Sequence, residues 1–144
     1  MAHSNHLADA IGTICRRFPD AYAGHVLDRD RGIVTVYVTR KGSGELVRAL
    51  SAEMGPVEAG GYELVRAAHT FAALKGLTAR IARDRMQLEA AGLRLIQWGP
   101  NVASNAVKVK LSGYTEEAAG YLVERYGADW ITVAPWEGRL PRRV

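Results

Sequence analysis

The residue types that could carry acid–base or nucleophilic chemistry are few and scattered. Two histidines lie beyond the N-terminal segment, His25 and His69, and neither belongs to a nucleophile motif, since no Gly-x-Ser-x-Gly occurs. A hydrolytic triad needs a nucleophile, a base and an orienting acid held together. Glu116 and Glu117 are adjacent, so on a helix they point about 100° apart, which suits interaction with the helix dipole rather than paired acid–base work. We therefore predict no catalytic residue and no enzymatic activity.

Cofactor and metal motifs are also missing from the sequence. The single cysteine, Cys15, cannot form an internal disulfide, and no Cys/His grouping has zinc-site spacing. Cys15 falls near an apolar helix face, which predicts a buried, unreactive thiol. Lys41–Gly44 is glycine-rich but lacks P-loop spacing, so we interpret it as the turn before a helix that Ser43 caps. The sequence predicts neither a cofactor nor a metal.

The charge is modest and unevenly placed. The formal net charge is +4, and the excess lies beyond residue 70, where eleven Lys or Arg stand against seven Asp or Glu. A nucleic-acid-binding domain usually shows a stronger and more clustered excess. Lys75, Arg80, Arg83 and Arg85 are outward positions of a long helix and are typical of a solvated face. A shallow basic patch there is the alternative.

Length and composition are those of a single globular domain. The chain has 144 residues, 48% hydrophobic and 24% charged, which excludes wholesale disorder and a disulfide scaffold. The N-terminus lacks a basic leader followed by an apolar core, so it does not have the pattern of a secretory signal. We expect a cytoplasmic protein with no membrane partner.

The first half of the chain, over residues 21–68, has the element order ββαβ. Alternating and β-branched residues predict the strands, a polar turn joins the first two as a hairpin, and Gly55-Pro56 ends the helix. The predicted elements are strands at Tyr22–Leu27 and Ile33–Thr39, a helix at Glu45–Met54 and a strand at Tyr62–Ala67. A helix within residues 1–20 precedes them, with Leu7, Ile11 and Ile14 or Cys15 on its apolar face.

The second half repeats this order over residues 92–135. The predicted elements are strands at Leu93–Trp98 and Asn105–Leu111, a helix capped by Thr115 and ended by Gly127, and a strand at Trp130–Ala134. A long helix, about Thr70–Ala90, joins the copies, with Phe71, Leu74, Leu77, Ile81 and Leu88 inward. We predict an α/β (α+β) fold with one domain over 21–136 and helices on one sheet face. The strands form either two small open sheets or one sheet of about six.

Sheet edges and faces are where we expect a partner to bind. Unpaired edge N–H and C=O groups can accept a partner strand, although charges such as Arg66, Lys108 and Lys110 can blunt an edge. Trp98 and Trp136 are predicted at strand ends, where a ring is only partly covered. The basic tail, 137–144, is either a mobile end or an extended segment that docks on a partner. The candidate partner-binding residues are Trp98, Lys108, Lys110, Trp136, Arg139, Leu140, Arg142 and Arg143.

Residues between Tyr62 and Val133 carry a resemblance to a known family. They comprise Tyr62-Glu63-Leu64-Val65-Arg66, His69-Thr70-Phe71, Leu74, Ala91-Gly92-Leu93, Gly99-Pro100-Asn101, Asn105-Ala106-Val107-Lys108-Val109, Tyr121-Leu122, Arg125-Tyr126-Gly127 and Val133. With the Tyr22-Ala23-Gly24 strand before Arg31-Gly32, this pattern resembles the actinobacterial pro-domains of streptogrisin and alpha-lytic-type serine proteases. The resemblance rests on element order and on scattered residues.

Such pro-domains are folding chaperones and inhibitors that offer a sheet to a protease hairpin and a tail to the protease cleft. We expect a stand-alone chain, with neither a protease domain after it nor a signal peptide before it, and on that expectation the resemblance implies only the protein-binding mode, without catalytic residues. We predict a non-enzymatic protein-interaction module that binds a protein partner, or itself, through a sheet surface or edge. The alternative is a nucleic-acid-binding domain that uses the long basic helix.

Overall fold

Four helices and six strands make up the described part of the chain. The computed structural model describes residues 2–57 and 61–138, where an N-terminal helix precedes the order ββαβ, long helix, ββαβ. The elements are α1 (Ala2–Cys15), β1 (Tyr22–Asp28), β2 (Ile33–Val38), α2 (Ser43–Met54), β3 (Tyr62–Arg66), α3 (Phe71–Ala90), β4 (Arg94–Asn101), β5 (Ala106–Ser112), α4 (Glu116–Tyr126) and β6 (Ile131–Pro135). The predicted α+β class is confirmed.

The described strands form two three-stranded sheets, and not one sheet of six. In the first sheet β1 and β2 form an antiparallel hairpin and β3 runs parallel to β2. The second sheet repeats this arrangement with β4, β5 and β6. Parallel neighbours need a crossover connection, which α2 and α4 supply. The chain divides into two compact units, one comprising the residues up to Leu74 with Val102–Asn105, the other Lys75–Asn101 with the residues from Ala106 onward.

In the first unit, α1 and α2 pack on one face of the sheet. Burial alternates strictly along β2. Val34, Val36 and Val38 are buried, whereas the residues between them are only half-buried. These valines share one core with Ile11, Ile14, Cys15, Leu46, Leu50 and Tyr62. The other face is more open, and Val26 and Val65 there are 41% and 40% exposed.

In the second unit, α4 and most of α3 supply the core-facing side chains that oppose the sheet. Buried strand residues are Leu95, Val107, Val109, Leu111 and Ile131, and buried helix residues are Leu77, Ile81, Leu88, Leu122 and Tyr126. A polar tie joins the two helices. The Tyr126 hydroxyl donates to Asp84 Oδ2 at 2.7 Å, and Arg125 Nη2 lies 3.3 Å from the same oxygen.

α1 lies within residues 1–20, as predicted, and ends at Cys15, because the residues that follow form turns. The predicted cap of α2 is wrong. Ser43 does not cap α2; Gly42 occupies the N-cap at φ +74°, a conformation that glycine tolerates best, and the Ser43 hydroxyl donates to Arg40 O. Thr115 does cap α4, accepting from Ala118 N at 3.0 Å.

The second hairpin is longer than predicted. β4 continues through Gly99 and Pro100 to Asn101 instead of ending at Trp98. Pro100 fits because β4 is an edge strand, where a missing N–H breaks no ladder bond. In the turn, Asn105 takes φ +53° and its side-chain amide accepts from Ala68 N and His69 N and donates to His69 O.

Candidate functional site

The central strand of the second sheet places two lysines side by side on one face. β5 alternates so that Val107, Val109 and Leu111 are buried, which puts Lys108 and Lys110 on the opposite face. Lys108 is exposed and Lys110 is half-buried. Lys108 and Lys110 do not blunt a sheet edge, which the sequence left open as an alternative, because β5 lies between β4 and β6.

The strand register gives each lysine its neighbours. Gly99 and Thr132 flank Lys108 on the two adjacent strands, and Gln97 and Ala134 flank Lys110. Trp136 follows β6, and its backbone N–H donates to Leu111 O at 2.8 Å, which continues the parallel ladder by one step. We call this surface the lysine face and define it as Gln97, Gly99, Lys108, Lys110, Thr132 and Trp136. Residues 97–101, Lys108 and Lys110 line a shallow concavity of about 310 Å³ on it.

The lysine face is electropositive. None of the three strands contains Asp or Glu. Within residues 2–57 and 61–138, neither Lys108 nor Lys110 forms an ion pair. Two positive charges on one uncovered sheet face attract anionic groups and repel cationic ones.

Trp136 extends this face beyond Lys110. The Lys110 ammonium lies 5.7 Å from the centroid of the Trp136 ring, within cation–π range. The indole N–H is buried and has no hydrogen-bond acceptor in the described part of the chain. Gly138 lies against the ring, since a Cβ there would overlap Trp136 Cζ2. The half-buried ring therefore contacts the Gly138 backbone and the Lys110 ammonium, and part of its surface stays exposed.

Trp98 borders the concavity but is not one of the residues that define the lysine face. It lies in the middle of β4, not at a strand end as predicted, and its register partner is the buried Val109. Its indole N–H donates to Thr78 O of α3 at 3.2 Å, and the Arg85 guanidinium lies 5.9 Å from its ring. Trp98 thus ties β4 to α3. The tail candidates Arg139, Leu140, Arg142 and Arg143 lie outside the described residues.

Two of the basic positions of α3 form ion pairs with carboxylates of the same helix. Arg80 Nε lies 3.9 Å from Asp84 Oδ2, and Arg85 Nε donates to Glu89 Oε1 at 3.1 Å. Lys75, Arg80, Arg83 and Arg85 are all exposed, as predicted. The ion pairs reduce the positive potential of this helix face, so it is less uniformly basic than the lysine face.

In the first unit, the histidine and the cysteine that could take part in a reaction are buried or bound by neighbouring side chains. The Tyr22 hydroxyl lies 2.6 Å from His25 Nδ1, and burial, with the nearby Arg16, lowers the pKa of His25. Cys15 is fully buried, and burial raises its pKa to about 11. Among the described residues, no group of three or more His, Cys, Asp or Glu side chains could hold a metal ion.

Comparison with known proteins gives no family. No protein-family model matches this sequence, and no curated protein matches it. No helix in the described ranges is long and apolar enough to cross a membrane.

Proposed function

We propose that this protein is a non-enzymatic interaction module that binds an acidic, extended segment of a protein partner through the lysine face. One observation carries the proposal. Lys108 and Lys110 stand unpaired, within the described ranges, on a sheet face whose strands contain no carboxylate. Complementary charge steers such encounters and selects the partner.

The spacing of the lysines specifies the shape of the segment. Alternate residues of a strand lie about 6.6 Å apart, so Lys108 and Lys110 match carboxylates on alternate residues of another extended chain. Trp136, beyond Lys110, offers an aromatic surface for an apolar side chain further along that segment. The resemblance to pro-domains, which bind a protein through a sheet, supports the same kind of partner.

The modest net charge of the chain and the single aromatic ring of the lysine face favour a protein partner over nucleic acid. The net charge of the chain is only +4, and Trp136 is the one aromatic ring among the six residues that define the lysine face. Proteins that bind single strands combine several stacking rings with a basic groove. The basic helix α3, the alternative nucleic-acid surface, carries Asp84 and Glu89 among its arginines.

Fluorescence anisotropy with two labelled probes tests the proposal. The probes are a peptide that alternates Asp with Ser and a single-stranded oligonucleotide of matched charge. We expect the peptide to bind, and the double variant Lys108→Gln/Lys110→Gln to weaken it about fivefold to tenfold, because two partly exposed ion pairs are lost. The control Arg83→Gln removes an exposed positive charge from α3 and should leave the affinity unchanged.

Two outcomes contradict the proposal. Equal peptide affinity for the wild type and the double lysine variant would exclude the lysine face as the site. Tighter binding of the oligonucleotide, with a steep logarithmic dependence on salt concentration, would establish nucleic acid as the ligand.

A further inference from the structure

The last row of the second sheet adds a third cation next to the lysine face. Ser112 is the final residue of β5 and alternates with the two lysines, so it lies on the same side of the sheet. On β4, Arg94 pairs with Ser112. On the opposite side, the ladder bond from Trp136 N to Leu111 O places Trp136 beside Ser112. A positive charge and an aromatic ring therefore flank one small neutral residue.

The guanidinium group of Arg94 has no partner of its own in the described part of the chain. Arg94 is exposed, because its neighbour Leu95 takes the buried side of β4. Within residues 2–57 and 61–138 the Arg94 side chain forms neither an ion pair nor a hydrogen bond. Glu89, which lines a neighbouring depression together with Arg94, is paired with Arg85 instead. The Arg94 donors can therefore bind a carboxylate from another molecule.

Arg94 and Trp136 lie too far apart for one side chain of a ligand to bind both. β5 lies between β4 and β6, and neighbouring strands are about 4.8 Å apart, so the two residues start from backbone positions about 10 Å apart. A ligand residue above Ser112 must offer a negative group to one side and an apolar group to the other. An internal peptide residue has one side chain and supplies one of these groups. The last residue of a chain supplies both, because its α-carboxylate is ionised at neutral pH and is separate from its side chain.

We infer that the acidic partner segment ends on this row, with its free C-terminal carboxylate bound by Arg94 and an apolar last side chain on Trp136. The inference rests on the proposed function, since the acidic side chains two and four residues before the end face Lys110 and Lys108. β5 ends at Ser112 and β6 at Pro135, so neither strand offers a further row for a longer segment. Capture of a C-terminal carboxylate is a recurring mode of peptide recognition.

Fluorescence anisotropy of the full chain with three N-terminally labelled peptides tests this inference. The first peptide is Asp-Ser-Asp-Ser-Leu with a free C-terminus, the second is the same peptide with a C-terminal amide, and the third carries two further serines after Leu. The first and third peptides have the same net charge, so charge alone does not distinguish them. We expect the first to bind about threefold to tenfold tighter than either of the others, because one partly exposed ion pair depends on the position of the carboxylate.

Variants of the protein assign that preference to Arg94. Arg94→Gln should remove most of the preference for the free C-terminus, whereas Arg94→Lys should retain part of it, because the positive charge stays. Both changes are at an exposed position. Arg83→Gln, which removes an exposed positive charge from α3, is the matched control and should keep the full preference. Trp136→Ala should weaken the first peptide, and replacing the last Leu of that peptide by Ser should then cause little further loss.

The outcomes separate this inference from the proposed function. Equal affinity of the wild type for the three peptides overturns the inference, and the proposed function stands if Lys108→Gln/Lys110→Gln still weakens all three. A preference for the free C-terminus that survives Arg94→Gln also overturns it. So does an amidated peptide with Asp in place of the last Leu that binds as tightly as the first peptide, because a third acidic side chain is then sufficient. If the double lysine variant binds every peptide as well as the wild type does, the proposed function fails, and this inference with it.

Discussion

The tie between α3 and α4 provides a quantitative test of the packing in the second unit. Asp84 Oδ2 accepts from the Tyr126 hydroxyl at 2.7 Å, lies 3.3 Å from Arg125 Nη2, and its side chain is only 19% exposed. A hydrogen bond to a charged group contributes about 1.5–3 kcal/mol, and partial exposure places this one at the lower end. We expect Asp84→Asn to lower the free energy of unfolding by about 1.5–2 kcal/mol and Tyr126→Phe by about 1 kcal/mol.

The contribution of Asp84 depends on pH in a defined direction. The hydrogen bond from Tyr126, with Arg125 also contributing, lowers the pKa of the Asp84 carboxyl against the opposing effect of burial. Because this pKa is lower in the folded state than in the unfolded state, the stabilisation is fully present above the unfolded value of about 4. It is lost as the pH falls through the folded pKa. The stability difference between wild type and Asp84→Asn should therefore be largest near neutral pH and disappear in acid.

Urea unfolding followed by circular dichroism, from neutral pH down to about pH 3, measures both effects. The double variant Asp84→Asn/Tyr126→Phe should be less destabilised than the sum of the single variants, since they share one hydrogen bond. Glu89→Gln is the matched control on the same helix. It removes an exposed pair with Arg85 and should cost less than about 0.5 kcal/mol. A pH-independent effect of Asp84→Asn, or strictly additive single effects, would refute this account of the tie.

Two further predictions concern packing. Leu50→Ala and Leu122→Ala should each lower the free energy of unfolding by about 2–5 kcal/mol, because both side chains are fully buried. Urea-unfolding midpoints equal to that of the wild type would contradict the described cores. Gly24→Ala should cost more than Gly32→Ala. Both glycines have positive φ, but a Cβ at Gly24 would lie 2.6 Å from a methyl of Val102, whereas Gly32 faces open space. Adding Val102→Ala should recover the steric part of the loss at Gly24; no recovery would contradict the contact.

Much of the fold could be predicted because its strands have one buried face. Apolar and polar residues alternate along β2 and β5, and this alternation shows which side of each strand is buried. The strands and the faces on which their side chains lie therefore follow from local sequence. The number of sheets could not be predicted, because it depends on which strands meet over long sequence separations. Trp98 was misplaced because Gly99-Pro100 resembles a turn, and only the edge position of β4 makes that pair acceptable within a strand.

Three of the candidate binding residues, Lys108, Lys110 and Trp136, lie together on the lysine face, but their position in the sheet could not be predicted. Lys108 and Lys110 were identified from the alternating pattern of β5, yet their place on a central strand follows from pairing with β6, which the sequence does not reveal locally. The unsatisfied indole N–H of Trp136 has no sequence signal at all, because it depends on what surrounds the ring. The place of Arg94 beside Ser112 likewise follows only from the pairing of β4 with β5.

Because Cys15 is buried, the rate at which its thiol is labelled reports local opening of the native structure. The thiol is fully enclosed at the end of α1 and has a pKa of about 11, so a thiol reagent at neutral pH meets neither an accessible nor an ionised sulfur in the native state. Labelling must wait until α1 detaches from the first sheet. When closing is faster than labelling, the labelling rate gives the free energy of that partial unfolding, without any introduced probe.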